Sequence, residues 1–257
     1  MTIPDERENT PMALKASPDD QALLLDLQAL DTRLAQLDHR AKSLPELQVL
    51  SDLSRQLDAV RVTLAAQRGA VEDTQIELSR VEADVTVVEE RIARDTGRLE
   101  SSSSVKDVAA LEQELTALRK RLGDLEEIEL TVMERLEEQQ KIVESTQAEL
   151  DGLLERSAEA EAARDAALAA IAGERTTAAA GRRTIEGKVP ADLLSLYEKQ
   201  RARYGTGASL LQHGVSKASG VTLLEDELQK IRAAAPDDVL ICPSSDAILV
   251  RTAESGL

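Results

Sequence analysis

Aromatic side chains are nearly missing from this chain. It has no Trp and no Phe, and its two tyrosines are Tyr197 and Tyr204. A compact core normally uses rings, because each buries so much area. Their scarcity excludes a large globular core and fits a thin seam of Leu, Val and Ala. Cysteine occurs once, as Cys242, which excludes an intramolecular disulfide and a disulfide-rich secreted scaffold. No stretch approaches the ~20 apolar residues of a membrane-spanning helix. The start, Met1 to Pro11, has neither the basic region nor the apolar core of a signal peptide. With Pro4, Pro11 and Pro18, residues 1–17 read as a disordered tail. These absences together predict a soluble, cytoplasmic protein with no membrane partner.

Charge of one sign is also scarce: 31 Lys and Arg stand against 48 Asp and Glu, a net charge of -17 over 257 residues. A chain this acidic repels phosphate backbones at long range. The excess is not even. Residues 187–257 carry eight basic against nine acidic side chains, so the surplus lies upstream.

What the chain does have is heptad spacing. Leu50, Leu53, Leu57, Val60, Leu64, Val71, Leu78, Val81, Val85, Val88, Ile92 and Leu99 recur at steps of three and four, singly or combined. So do Val108, Leu111, Leu115, Leu118, Leu122, Leu125, Val132, Leu136, Val143, Leu150 and Leu153. Such spacing keeps one seam facing one partner for many turns. The break between the runs, Glu100 to Val105, is so short that the two helices must lie antiparallel. Asp107 is placed to cap the return helix. Pairing about this tip puts residues whose numbers sum to about 207 in one layer. Gln67 then faces Gln139, either as a shared polar layer that fixes register or as two amides reaching solvent.

An earlier run, Leu23, Leu27, Leu30, Leu34 and Leu37, begins after Pro18 with Asp19 or Asp20 as its cap. A break is expected at Ser43-Leu44-Pro45, with Ser43 capping the restart. By the same pairing this run faces the Ala-rich segment 157–180. Leu193, Leu194, Tyr197 and Arg201 mark a short helix over 190–204, ended by Gly205. Leu224–Ala233 reads as another, and Val239-Leu240-Ile241 and Ile248-Leu249-Val250 as short strands.

Several segments resemble a known family: Leu27 to Leu34, the tip with Val105-Lys106-Asp107, Leu130 to Leu136, Leu196-Tyr197-Glu198, and the ending Ile248-Leu249-Val250-Arg251. They are similar to the bacterial coiled-coil hairpin proteins that end in a four-cysteine zinc ribbon, often described as candidate nucleic-acid-binding proteins. The likeness is strongest to the actinobacterial branch and covers nearly the whole chain after the tail. The expected fold class is therefore mainly α: a long antiparallel coiled-coil helical hairpin over 18–186, its tip near 101–106. A short helix and a small zinc-ribbon-like α+β module follow over 187–257.

The family's two Cys-x-x-Cys knuckles fall here on Ser216-Lys217-Ala218-Ser219 and Cys242-Pro243-Ser244-Ser245. Of the ligand positions Ser216, Ser219, Cys242 and Ser245, only Cys242 keeps a thiol. Structural zinc wants four thiolate or imidazole ligands, and His213 is the one nearby imidazole. No zinc and no other cofactor is expected. Cys242 reads as a small buried residue beside a strand end, and His213 and His39 as surface imidazoles.

No phosphate loop or nucleophile constellation is present, which argues against an enzyme. The expected function is a non-catalytic scaffold or adaptor that binds protein partners, in keeping with the family's regulatory flavour. The alternative is nucleic-acid binding through Arg182, Arg183, Lys188, Lys199, Arg201, Arg203 and Lys217, with Tyr197 and Tyr204 as stacking platforms. The reading preferred over that alternative is a set of solvated arginines that balance Glu186, Asp192 and Glu198. Apolar seam ends also leave room for a homodimer.

Overall fold

The structure, a computed structural model, describes residues 14–256. Residues 1–13 of the expected tail lie outside the described residues. The chain forms two compact units, one from residues up to Leu44 together with Asp165 onward, the other from Pro45–Arg164.

The second unit is a pair of helices, α2 (Pro45–Ser101) and the first part of α3 (Val105–Glu186). Leu53, Leu57, Leu64, Leu111, Leu115, Leu125, Val132 and Leu153 are buried along their seam. The heptad reading therefore holds, and the connection is Ser102–Ser104. The cap differs from expectation: the Ser104 hydroxyl accepts the Asp107 N–H at 3.4 Å, so Ser104 starts the helix and Asp107 sits in its first turn. Arg91 pairs with Glu114 and Arg135 with Glu77 across the hairpin. Asp95 is 5% exposed within the seam, flanked by Arg91 and Arg98.

Leu53, Leu57 and Leu153 are buried together, with Val60 and Leu150 packed against them. Gln67 and Gln139 do not bond to each other. The carbonyl oxygen of each is buried without a protein partner, a cost of about 1–3 kcal/mol apiece.

The first unit joins α1 (Pro18–Lys42) to the last part of α3, α4 (Ala191–Tyr204), α5 (Glu225–Ala233) and a small sheet. Ser17 caps α1, its hydroxyl accepting the Asp20 N–H at 3.1 Å with Pro18 at the first helical position. Neither Asp19 nor Asp20 is the cap. Ser43 closes α1 instead of opening α2, because its hydroxyl donates back to the His39 carbonyl at 2.9 Å. Residues 14–17 also depart from the expected tail. The Val239 N–H donates to Leu14 O and the Ala16 N–H to Asp237 O, and Lys15 pairs with Asp237 and Asp238. Ala16 is buried.

The sheet runs β2-β1-β4-β3, with β1 (Ala208–Gln212) parallel to β4 (Ile248–Val250). Strand β2 (Val215–Ser216) and β3 (Leu240–Ile241) add antiparallel edges. His213 and Gly214 both have positive φ, 48° and 75°, as a tight β1–β2 hairpin turn requires. Side chains alternate about β4. Ile248 and Val250 pack with Leu24, Leu27, Leu193 and Tyr197 of the helices. Leu249 faces the other way, with Leu211, Cys242, Leu228 and Ile231. Arg251 fastens the end of α5 by donating to the carbonyls of Ile231, Ala234, Ala235, Pro236 and Asp238.

Candidate functional site

The densest polar cluster lies in the first unit and centres on Asp31, which is 8% exposed. Leu24 and Leu27 precede it on the buried face of α1. Its Oδ1 accepts from Arg182 Nε at 2.7 Å and its Oδ2 from the Tyr197 hydroxyl at 2.7 Å. Arg201 Nε stands 3.4 Å from Oδ2. Arg182 also binds Glu186 and Glu198, and Arg201 binds Glu198 at 2.7 Å. Burial works against the charge on Arg182, but its bonds to Asp31 and Glu198 outweigh that and raise its pKa further. Burial first, then the bond to Asp31, holds the Tyr197 phenol well above its ordinary pKa.

Three residues before Asp31 on α1, Gln28 meets the start of the sheet. Its Oε1 accepts the Gly207 N–H at 2.7 Å. A Cβ on Gly207 would lie 2.5 Å from two carbons of the Tyr197 ring, so only glycine fits there. The cluster is a structural clasp that joins α1, α3, α4 and β1, and it holds no nucleophile poised beside a base.

This geometry sorts the seven basic candidates. Arg182 and Arg201 are engaged by carboxylates inside the fold and are not available as phosphate contacts; Tyr197 is fully buried and is no stacking platform. Arg183, Lys188, Lys199, Arg203 and Lys217 are exposed. Arg203 stacks over the Tyr204 ring at 5.2 Å. Sequence reading missed Asp31, Gln28 and Gly207. The available signal was Arg201, placed on the apolar stripe of α4 where an inward charge demands a buried counter-ion.

The two knuckle segments come together. In each, the N–H four residues on donates back to the first carbonyl, Gly220 to Ser216 at 2.8 Å and Asp246 to Cys242 at 2.9 Å. Gly220 and Asp246 both have positive φ. The Ser219 and Ser244 hydroxyls are 3.1 Å apart, and the Cys242 thiol lies 3.2 Å from Ser244 Oγ. Burial opposes ionisation of Cys242, but the hydroxyls of Ser216, Ser244 and Ser245 and the backbone of Ser244 outweigh it and lower the thiol's pKa. Zinc does not fit this donor set. Ser216 and Ser219 are hydrogen-bonded as neutral hydroxyls, to Ser209 and Ser244, and one thiol remains. Among the described residues no group of three or more His, Cys, Asp or Glu is placed to hold a metal ion.

A family model, the CT398-like coiled coil hairpin domain, matches residues 27–205. The chain belongs to that family. The chain is 36% identical over 239 residues to an uncharacterized protein of Mycobacterium tuberculosis, covering 93% of this chain and 98% of the relative. A solved structure from Mycobacterium smegmatis is 36% identical, with a TM-score of 0.84 over 93% of this chain and 100% of that one. The structure of CT398 from Chlamydia trachomatis is 17% identical with a TM-score of 0.64, over 91% and 98% of the two chains, a likeness of fold. The hairpin that defines the family contributes its own surface here. Large apolar side chains stand on the outer faces of α2 and α3, with Val62 73% and Leu130 62% exposed, and Ile76, Val87 and Met133 also outside the seam. Among the described residues no helix is long and apolar enough to cross a membrane.

Proposed function

We propose that this hairpin-family protein is a non-catalytic scaffold or adaptor that works in the cytoplasm and binds protein partners through α2 and α3. The observation that supports this reading is the set of apolar side chains on the outer helix faces, which the seam leaves uncovered. Such faces suit helix-in-groove or bundle contacts. In this reading the C-terminal module is a metal-free relative of a zinc ribbon, retained for its packing against α1 and α4. Pull-down of the full chain with mass spectrometry and nucleic-acid staining tests the proposal. A stoichiometric protein and no nucleic acid supports it; nucleic acid alone overturns it.

The second reading, nucleic-acid binding, draws on the five exposed cations around α4 and β2. Its test is a mobility shift at physiological salt with Lys199, Arg203 and Lys217 changed to Glu. Arg182 and Arg201 are unsuitable for that test, because changing them breaks the Asp31 cluster.

A further inference from the structure

Midway along the α2–α3 unit the seam carries two amides, Gln67 and Gln139, each with a buried carbonyl oxygen that has no partner. Beside them lies an open groove of about 600 Å³ between the two helices. Val71 and Val143 form its floor, and Glu72, Glu144 and Asp151 line its rim. Arg68 also lines it, but its guanidinium donates to Gln147 at 2.8 Å. From Gln140 to Asp151 the α3 wall is about 16 Å long, three turns of helix. The surroundings are acidic: residues 122–161 carry 13 Asp and Glu against three Lys and Arg.

We infer that this groove docks an amphipathic helix of a partner protein, with an apolar stripe on Val71 and Val143 and Lys or Arg flanking it. The inference rests on the adaptor reading and gives it a place and a chemistry. A second copy of this chain is a poor occupant, since it would set one acidic surface against another. A nucleic acid is excluded by the same charge. A basic helix instead gains ion pairs at the rim while its stripe covers the half-buried valines, adding a third helix beside the two unpartnered amides.

The probe is a fluorescein-labelled synthetic helix of about 18 residues, with Leu on one face and Lys on the other. A matched peptide carries Glu in place of Lys. Binding to the full chain is followed by anisotropy. One variant carries Glu72→Lys, Glu144→Lys and Asp151→Lys. A control with the same charge change carries Glu127→Lys, Glu134→Lys and Glu159→Lys, all exposed and away from the groove. Circular dichroism checks that both remain helical. The groove variant is expected to weaken the Lys-faced peptide about tenfold or more, and the control by less than about twofold. The Glu-faced peptide is expected not to bind. Equal losses in the two variants, no loss in the groove variant, or no binding of the Lys-faced peptide overturns the groove. A protein partner recovered in the pull-down would still stand in that event, so the two readings fail separately.

Discussion

The Tyr197 hydroxyl donates to Asp31 Oδ2 at 2.7 Å, across 166 positions of sequence. With Arg182 on the other carboxylate oxygen, this single side chain ties α1 to both α3 and α4. Asp31→Ala is expected to destabilise the first unit by about 3–5 kcal/mol, because it strands a mostly buried guanidinium and a buried phenol. Urea denaturation followed by circular dichroism reads the loss. A change below about 1 kcal/mol would mean that Glu186 and Glu198 alone hold Arg182.

The same contact sets an alkaline limit. The folded pKa of Tyr197 is raised above its unfolded value of about 10, so the folded state keeps the proton longer. The stability this contributes is intact below about pH 10 and declines as the pH rises beyond it. Tyr197→Phe is expected to lower stability at neutral pH and to flatten that alkaline decline. Parallel stability curves for the two proteins from about pH 8 to 11 would contradict the assignment.

In the hairpin, Gln67→Leu and Gln139→Leu are each expected to stabilise, by about 1–2 kcal/mol. Both changes remove a buried carbonyl oxygen that lacks a partner and fill a seam position with a Leu. The check is the urea midpoint of each variant. Destabilisation by either would show that its amide is satisfied in solution.

The knuckles lend themselves to reconstruction. Ser216→Cys, Ser219→Cys and Ser245→Cys, made together, set three new thiols beside Cys242 on two turns that already face each other. One zinc per chain is expected in the variant by metal analysis, and none in the parent. A metal-free triple variant would show that the two turns do not converge as a ligand cage.

The hairpin was legible because heptads repeat over many turns, and the α2 and α3 ends fell within a residue or two of expectation. On α1 the run Leu23, Leu27, Leu30, Leu34 and Leu37 buries Leu27 and Leu37, while Leu23, Leu30 and Leu34 are half-buried and Leu24 and Asp31 join the buried face. Tertiary partners add those last two, which the heptad pattern alone does not select. Strands β1 and β2 were missed because Ser209, Gln212 and Ser216 interrupt the apolar runs that mark β3 and β4. Asp31 was missed because nothing local distinguishes an inward carboxylate from the many outward ones. Its role becomes visible only when Arg182 and Tyr197 arrive beside it.

Leu24 and Leu27 of α1 are fully covered, yet much of what covers them is made last. Val189, Leu193, Tyr197, Ile248 and Val250 share their cluster. On a ribosome adding about 5–20 residues per second, α1 must wait roughly ten seconds or more before that cover emerges. Throughout that interval a nascent chain displays the leucine stripe of α1 without this cover. Synthesis thus gives the first unit a built-in order of assembly, in which α1 meets its cover only after α4 and β4 are made.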